Sequence, residues 1–136
     1  MAWNYYDVGI GNVGSYQVSG HPWMSGSTLS AGQEKQITFP FVAKSITVSQ
    51  SGSAGRVRIH FVPTGSMNGS ITTGNTHGCF WEMNSHEDAL TMNVKCSSIY
   101  VSNGDASNAT GFQVFAELTR IDSTRMFALT GSGISE

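Results

Sequence analysis

Alternation of apolar and polar residues is the feature that most constrains the fold of this chain. No segment has the i, i+3, i+4, i+7 apolar spacing that a helix of useful length requires. The clearest alternation is RVRIHF at 56–61, where Val57 and Ile59 fall on one face and Arg58 and His60 fall on the other. The pattern therefore predicts a protein that is mostly or wholly β.

Further strands follow from the same period of two. The longest run is FQVFAELTRI at 112–121, which places Phe115 and Ile121 on one face. The opposite, buried face is predicted to hold Phe112, Val114, Ala116 and Leu118. Pro40 interrupts the alternation between residues 37 and 48, which predicts two strands separated by a proline break. Seven or eight short strands between Gly, Ser and Asn turns are typical of an antiparallel β-sandwich or a jelly roll.

The first 33 residues have a different pattern, because glycines alternate there with aromatic residues and no sustained strand pattern is present. Aromatic side chains gain much free energy from burial. We therefore expect an extended N-terminal arm over 1–33 that covers a neighbouring subunit, with an arm that wraps its own domain as the alternative. The β-sandwich is expected over 34–124 and a C-terminal tail segment over 125–136. The predicted protein contacts are Trp3, Tyr5, Tyr6, Tyr16, Trp23 and Trp81.

Composition argues against several partners. Only 12% of the residues are charged, about half the usual share, and the seven Lys and Arg residues are scattered, so nucleic acid is not an expected partner. No run of about 18 apolar residues exists, and the N-terminus has no secretory signal pattern, so we expect neither a membrane span nor export. Without export, Cys79 and Cys96 are expected to be separate buried thiols, with a disulfide as the alternative.

Three patterns resemble active or cofactor sites but lack the required context. The glycines at 9, 11 and 14 match G-x-G-x-x-G, yet Pro22 and further glycines follow where a nucleotide-binding fold needs a helix. A zinc set can be drawn from His77, Cys79, His86 and Cys96, but its spacing is irregular. The polar stretch 84–88 is better explained as a connection between strands than as a catalytic site. We expect no cofactor, no metal and no enzymatic activity.

Four segments carry a resemblance to a known class of proteins: GNVGSYQVSG (11–20), ITFPFVAKSITVS (37–49), NVKCSSIYVS (93–102) and FQVFAELTRI…MFALTGSGISE (112–136). In these segments the chain resembles small virion structural proteins of tailed bacteriophages, notably those of aquatic and cyanobacterial phages. The resemblance implies a β-sandwich capsid decoration (cement) protein, commonly trimeric, made in the host cytoplasm and located in the virion. Its implied partners are the major capsid protein or other virion proteins.

An alternative within the same class is a phage tail, baseplate or fibre module that binds a host glycan. The candidate residues for that role are Phe80, Trp81 and Trp23, which could stack on a sugar ring, together with the Gly-rich loop predicted at 63–78. The resemblance implies no cofactor and no catalytic residue for either role.

Overall fold

The computed structural model of the protein describes residues 20–61, 63 and 80–126. In these ranges the chain forms seven β-strands and one 3-10 turn, Ser123–Arg125, and no α-helix. The strands are β1 (His21–Leu29), β2 (Glu34–Gln50), β3 (Val57–His60), β4 (Trp81–Met83), β5 (Ala89–Met92), β6 (Cys96–Asn103) and β7 (Thr110–Asp122). No helix in these ranges is long and apolar enough to cross a membrane.

All strand pairs are antiparallel, and the strands hydrogen-bond in the order β1-β7-β2-β6-β3-β4, with β5 also paired to β2. The long strand β2 is shared between two layers. Its first part pairs with β6, which continues to β3 and β4; we call this the β3 layer. Its second part pairs with β7 and β5, and β7 continues to β1; we call this the β7 layer. The predicted all-β, sandwich-like antiparallel fold is confirmed.

The expected proline break in β2 is a bend within one strand. Residues 34–50 are continuous, but the pairing register shifts between Thr38 and Ala43, on either side of Pro40. Proline has no backbone N–H to donate to the hydrogen bonds of a sheet. Because the pairing is irregular at Pro40, the missing donor costs no sheet hydrogen bond there. The bend lets a single strand serve both layers.

The core is one cluster to which both layers contribute. The β7 layer supplies Ile46 and Val48, and the β3 layer supplies Ile59 and Val101, all of them buried. The predicted buried face of β7 is confirmed, because Phe112, Val114, Ala116 and Leu118 are each at most 3% exposed.

The expectation that residues 1–33 form an arm separate from their own sheet is wrong for residues 21–29. They form β1, which pairs with β7 over nine consecutive residues. Leu29 is fully buried, and the ring of Trp23 meets that of Phe39 edge to face, with centroids 5.1 Å apart. The sheet therefore begins before Glu34. Residues 1–19 of the predicted arm, and residues 127–136 of the tail, lie outside the described residues.

Candidate functional site

A row of polar side chains crosses the β3 layer on the side opposite the core. The strand register places Glu34 of β2 beside Ser102 of β6, Ser102 beside Arg58 of β3, and Arg58 beside Glu82 of β4. We call these four residues the polar row. The alternation of β3 correctly separated Arg58 from the apolar face, but Arg58 and its neighbour His60 are both buried.

Arg58 is held by a charged hydrogen bond and an aromatic contact. Its Nε donates a 2.8 Å hydrogen bond to Oε1 of Glu82, and its guanidinium lies 4.3 Å from the centre of the Phe80 ring. Gly104 provides the room, because a Cβ there would clash with the Arg58 guanidinium. Arg56 adds a second positive charge 3.9 Å from Glu82. A buried guanidinium needs such charged and aromatic neighbours to offset its lost hydration.

His60 lies next to the row and has two oxygen neighbours. Its Nε2 is 2.5 Å from Oγ of Ser102 and 3.5 Å from Oε1 of Glu34, while its ring stacks on Tyr100. These residue types resemble a Ser-His-acid triad, but both oxygens approach the same ring nitrogen. A triad needs the carboxylate on the other nitrogen and an accessible serine, and Ser102 is fully buried. The arrangement is a packed polar network that joins β2, β6 and β3.

The outer side of the β7 layer, unlike the buried Arg58 and His60 of the β3 layer, is exposed. We call it the open face. Met24 is 75% exposed and Phe115, its cross-strand neighbour, is 40% exposed. The outward positions of the four strands are Pro22, Met24, Gly26, Thr28, Ser45, Thr47, Ser49, Ala89, Thr91, Gly111, Gln113, Phe115 and Glu117. Of these described positions, only the half-buried Glu117 is charged.

Two neighbouring rows shape the open face. One row runs Met24, Phe115, Thr47, Thr91 across the four strands, and the two threonine hydroxyls are hydrogen-bonded at 3.0 Å. The next row runs Gly26, Gln113, Ser49, Ala89, with the exposed Gln113 between the two small residues, and a shallow groove lies beside it. This groove is lined by Met24, Ser25, Gly26, Thr47, Ser49, Gln113, Val114 and Phe115. A projecting methionine thus stands beside a groove on the same uncharged surface.

Of the six predicted contact residues the structure describes two, Trp23 and Trp81, which lie on β1 and β4 at opposite ends of the strand order. Trp23 is half-buried against the core, whereas Trp81 is 61% exposed on the short edge strand β4. Phe80, the neighbour of Trp81, packs under Arg58 instead of forming a flat platform with it. Trp3, Tyr5, Tyr6, Tyr16 and nearly all of the 63–78 loop lie outside the described residues.

The cysteine and metal-ligand predictions are tested only in part. Cys96 is a free, fully buried thiol, and burial raises its pKa to about 12. Cys79 and His77 lie outside the described residues. Within the ranges that the structure describes, no three metal-ligating side chains come together. His86 lies in the exposed turn between β4 and β5, whereas Cys96 is buried.

The chain matches no protein-family model and no curated protein.

Proposed function

We propose that this chain is a structural subunit of a larger assembly, and specifically a capsid decoration protein that binds and stabilises the head shell of a tailed phage. The observation that carries the proposal is the exposure of Met24 and Phe115, side by side, on a sheet face with one charged residue, Glu117, at its described outward positions. Exposed apolar patches on small proteins mark surfaces that another molecule covers. The phage role follows from the sequence resemblance.

Burial of the exposed side chains of the open face would contribute a modest free energy, which is enough for binding when the same contact is repeated many times. Full burial of a Met or Phe side chain contributes about 1.5–3 kcal/mol, and Phe115 is already partly buried within its own sheet. One such contact is weak on its own. Many identical contacts on a lattice act together, because the second and later contacts form at high effective concentration. A decoration protein bound at many equivalent positions uses weak contacts in this way.

The proposed partners are the major capsid protein or other virion proteins, and further copies of this chain, in a trimer. Nucleic acid is not a proposed partner. Three of the seven basic residues make local contacts: Arg56 and Arg58 both approach Glu82, and Lys35 donates to Ser27. A surface that binds a phosphate backbone presents several Lys or Arg side chains in a line, whereas the seven in this chain are scattered along the sequence.

The proposal is tested by quantitative mass spectrometry of virus particles from the source that encodes the chain. A decoration protein is expected at a copy number comparable to that of the major capsid protein. A copy number that is a small fraction of that value would place the chain in the tail or fibre. Absence of the chain from purified particles would overturn the proposal.

The second candidate is a tail, baseplate or fibre module that binds a host glycan, and the exposure of Trp81 favours it. An indole ring that is 61% exposed on an edge strand is available to stack on a sugar. Titration with oligosaccharides in a calorimeter, which needs no tryptophan as reporter, tests this role. Binding that Trp81→Ala abolishes and Met24→Ala leaves unchanged supports it, and equal signals from both variants contradict it.

A further inference from the structure

We propose that Asn103 and Gly104, at the end of β6, form a latent deamidation site: the fold protects the pair while the sheet is closed, and deamidation of an opened molecule prevents that molecule from folding again. Asparagine followed by glycine is the sequence most prone to deamidation, because the glycine has no side chain to hinder the approach of its backbone nitrogen. The chain holds one other pair of this kind, Asn68 and Gly69, which lies outside the described residues.

The reaction needs a free backbone nitrogen and a mobile side-chain amide. The backbone nitrogen of Gly104 attacks the side-chain carbonyl carbon of Asn103 and gives up its proton. A new C–N bond forms, the bond to the amide nitrogen breaks, and that nitrogen leaves as ammonia with the proton. Water then opens the five-membered succinimide at either carbonyl, which leaves aspartate or isoaspartate at position 103. Water is the only co-reactant, so any opened chain in solution can react.

The folded protein withholds both reacting groups. Asn103 is fully buried. Its Nδ2 donates to three carbonyl oxygens, the nearest that of Asn108 at 2.7 Å, and its Oδ1 accepts from the backbone amides of Arg56 and Asp105. The backbone nitrogen of Gly104 donates a 2.9 Å hydrogen bond to the carbonyl oxygen of Arg56. Attack therefore requires rotation of a side chain that is bonded at both ends and loss of that backbone hydrogen bond.

Packing fixes the identity of both residues. Gly104 is buried, and a Cβ on it would clash with the guanidinium of Arg58. The same guanidinium is held by its 2.8 Å hydrogen bond to Glu82, so it cannot move aside without loss of that bond. Asn103 is fixed by its five hydrogen bonds to the surrounding backbone. The packing that requires this reactive pair is therefore the packing that protects it.

Deamidation would make the opening irreversible. An ionised aspartate at 103 only accepts hydrogen bonds, so one carboxylate oxygen would face the carbonyl oxygens that Nδ2 of Asn103 now binds. Isoaspartate adds one carbon to the main chain where position 103 pairs with Val57 and donates a 2.9 Å hydrogen bond to the carbonyl oxygen of Gln33. Chemical modification of opened chains is a general cause of irreversible unfolding. A molecule that stays open long enough is thereby lost from the folded population.

Peptide mapping by mass spectrometry tests the protection. The full chain is incubated at pH 8, in buffer and in guanidinium chloride that unfolds it, and conversion of Asn103 to the acid is followed with time. Conversion should be at least about tenfold slower in buffer, because it must wait for local opening. In denaturant Asn68 is the internal reference, and the two asparagines should react at similar rates. Equal rates for Asn103 in buffer and denaturant, or no reaction of Asn103 where Asn68 reacts, would overturn the inference.

Refolding tests the consequence. Chains with Asn68→Gln are aged in denaturant and then diluted into buffer, and the refolded fraction should fall in step with conversion at position 103. Asn103→Asp reproduces one product directly and should lower the melting temperature by at least about 10 °C. Asn93→Asp is the matched control, because it makes the same change at an exposed position just before β6. Complete refolding of converted chains, or equal melting temperatures of the two Asp variants, would overturn the inference.

Discussion

The Nε atom of Arg58 lies 2.8 Å from Oε1 of Glu82, although the Arg58 side chain has no exposed surface. The two residues face each other across β3 and β4, at the edge of the sheet. Glu82 is 21% exposed, so the pair joins a buried cation to a partly hydrated anion. This contact holds the three-residue strand β4 to β3 on the side opposite Met83, which packs into the core.

Replacement of Glu82 by Gln should destabilise the protein by about 1.5–3 kcal/mol, the range for hydrogen bonds to charged groups. The amide keeps the shape of the side chain but leaves Arg58 without the negative charge nearest its Nε. Urea denaturation measures the change. Glu87→Gln is the control, since Glu87 is 84% exposed and its substitution should change stability by less than about 0.5 kcal/mol. Equal stability of the two variants would contradict the structural role of the pair.

Asn103 joins three turns through one buried side chain. Its Nδ2 donates to the carbonyl oxygens of Asn108, Ser30 and Leu29, and its Oδ1 accepts from the amides of Arg56 and Asp105. Asn103→Ala should lower the free energy of unfolding by about 2–4 kcal/mol, because these buried groups lose their partner together. Asn108→Ala removes a side chain that is exposed and should have a much smaller effect. Thermal or urea melts of both variants decide the point.

Two N-terminal truncations separate the arm from the sheet. Removal of residues 1–19 should leave the described strands folded, because β1 starts at His21. Removal of residues 1–33 also deletes β1, including the buried Leu29 and the ring contact of Trp23 with Phe39. That loss should cost at least about 3–5 kcal/mol, a large part of the stability of a small domain. Circular dichroism should show a β spectrum for the first truncation and unfolding or a much lower melting temperature for the second.

Cys96 should resist thiol reagents in the native protein. Its thiol is buried, and its pKa is raised to about 12 by desolvation, so almost no thiolate exists near neutral pH. In a Cys79→Ser background, labelling with an alkylating reagent at pH 8 should be slow in buffer and fast in denaturant. Rapid labelling of the folded protein would show that the strand around Cys96 opens readily or packs differently.

The alternation of apolar and polar residues predicted which residues of β7 are buried in the core. In β7 the assignment of Phe112, Val114, Ala116 and Leu118 to a buried face is confirmed, because the core-facing positions from 112 to 118 are all apolar. β1 was missed for the converse reason. Its positions opposite the core residues Phe112, Val114, Ala116 and Leu118 of β7 are Ser27, Ser25, Trp23 and His21, so three of the four are polar and the apolar alternation disappears.

The sites were harder to predict than the core. Alternation states which side of a strand a residue faces but does not state whether that side is covered, so the burial of Arg58 and His60 could not be foreseen. Ile121 shows the same limit: it shares the predicted face of Phe115, but it is fully buried where β7 passes the bend of β2, near Val42. The open face had one sequence signal, Phe115 on the side opposite the core. Met24 had none, because its strand was not recognised.

The claim that this chain acts in association with others is tested most directly by sedimentation equilibrium of the unmodified full chain across a wide range of concentrations. We expect an average mass that rises with concentration above the 14.5 kDa of one chain. Because the open face has one charged residue, Glu117, at its described outward positions, the association should persist at high salt, unlike one based on surface ion pairs. A single species of 14.5 kDa at every concentration would contradict this claim.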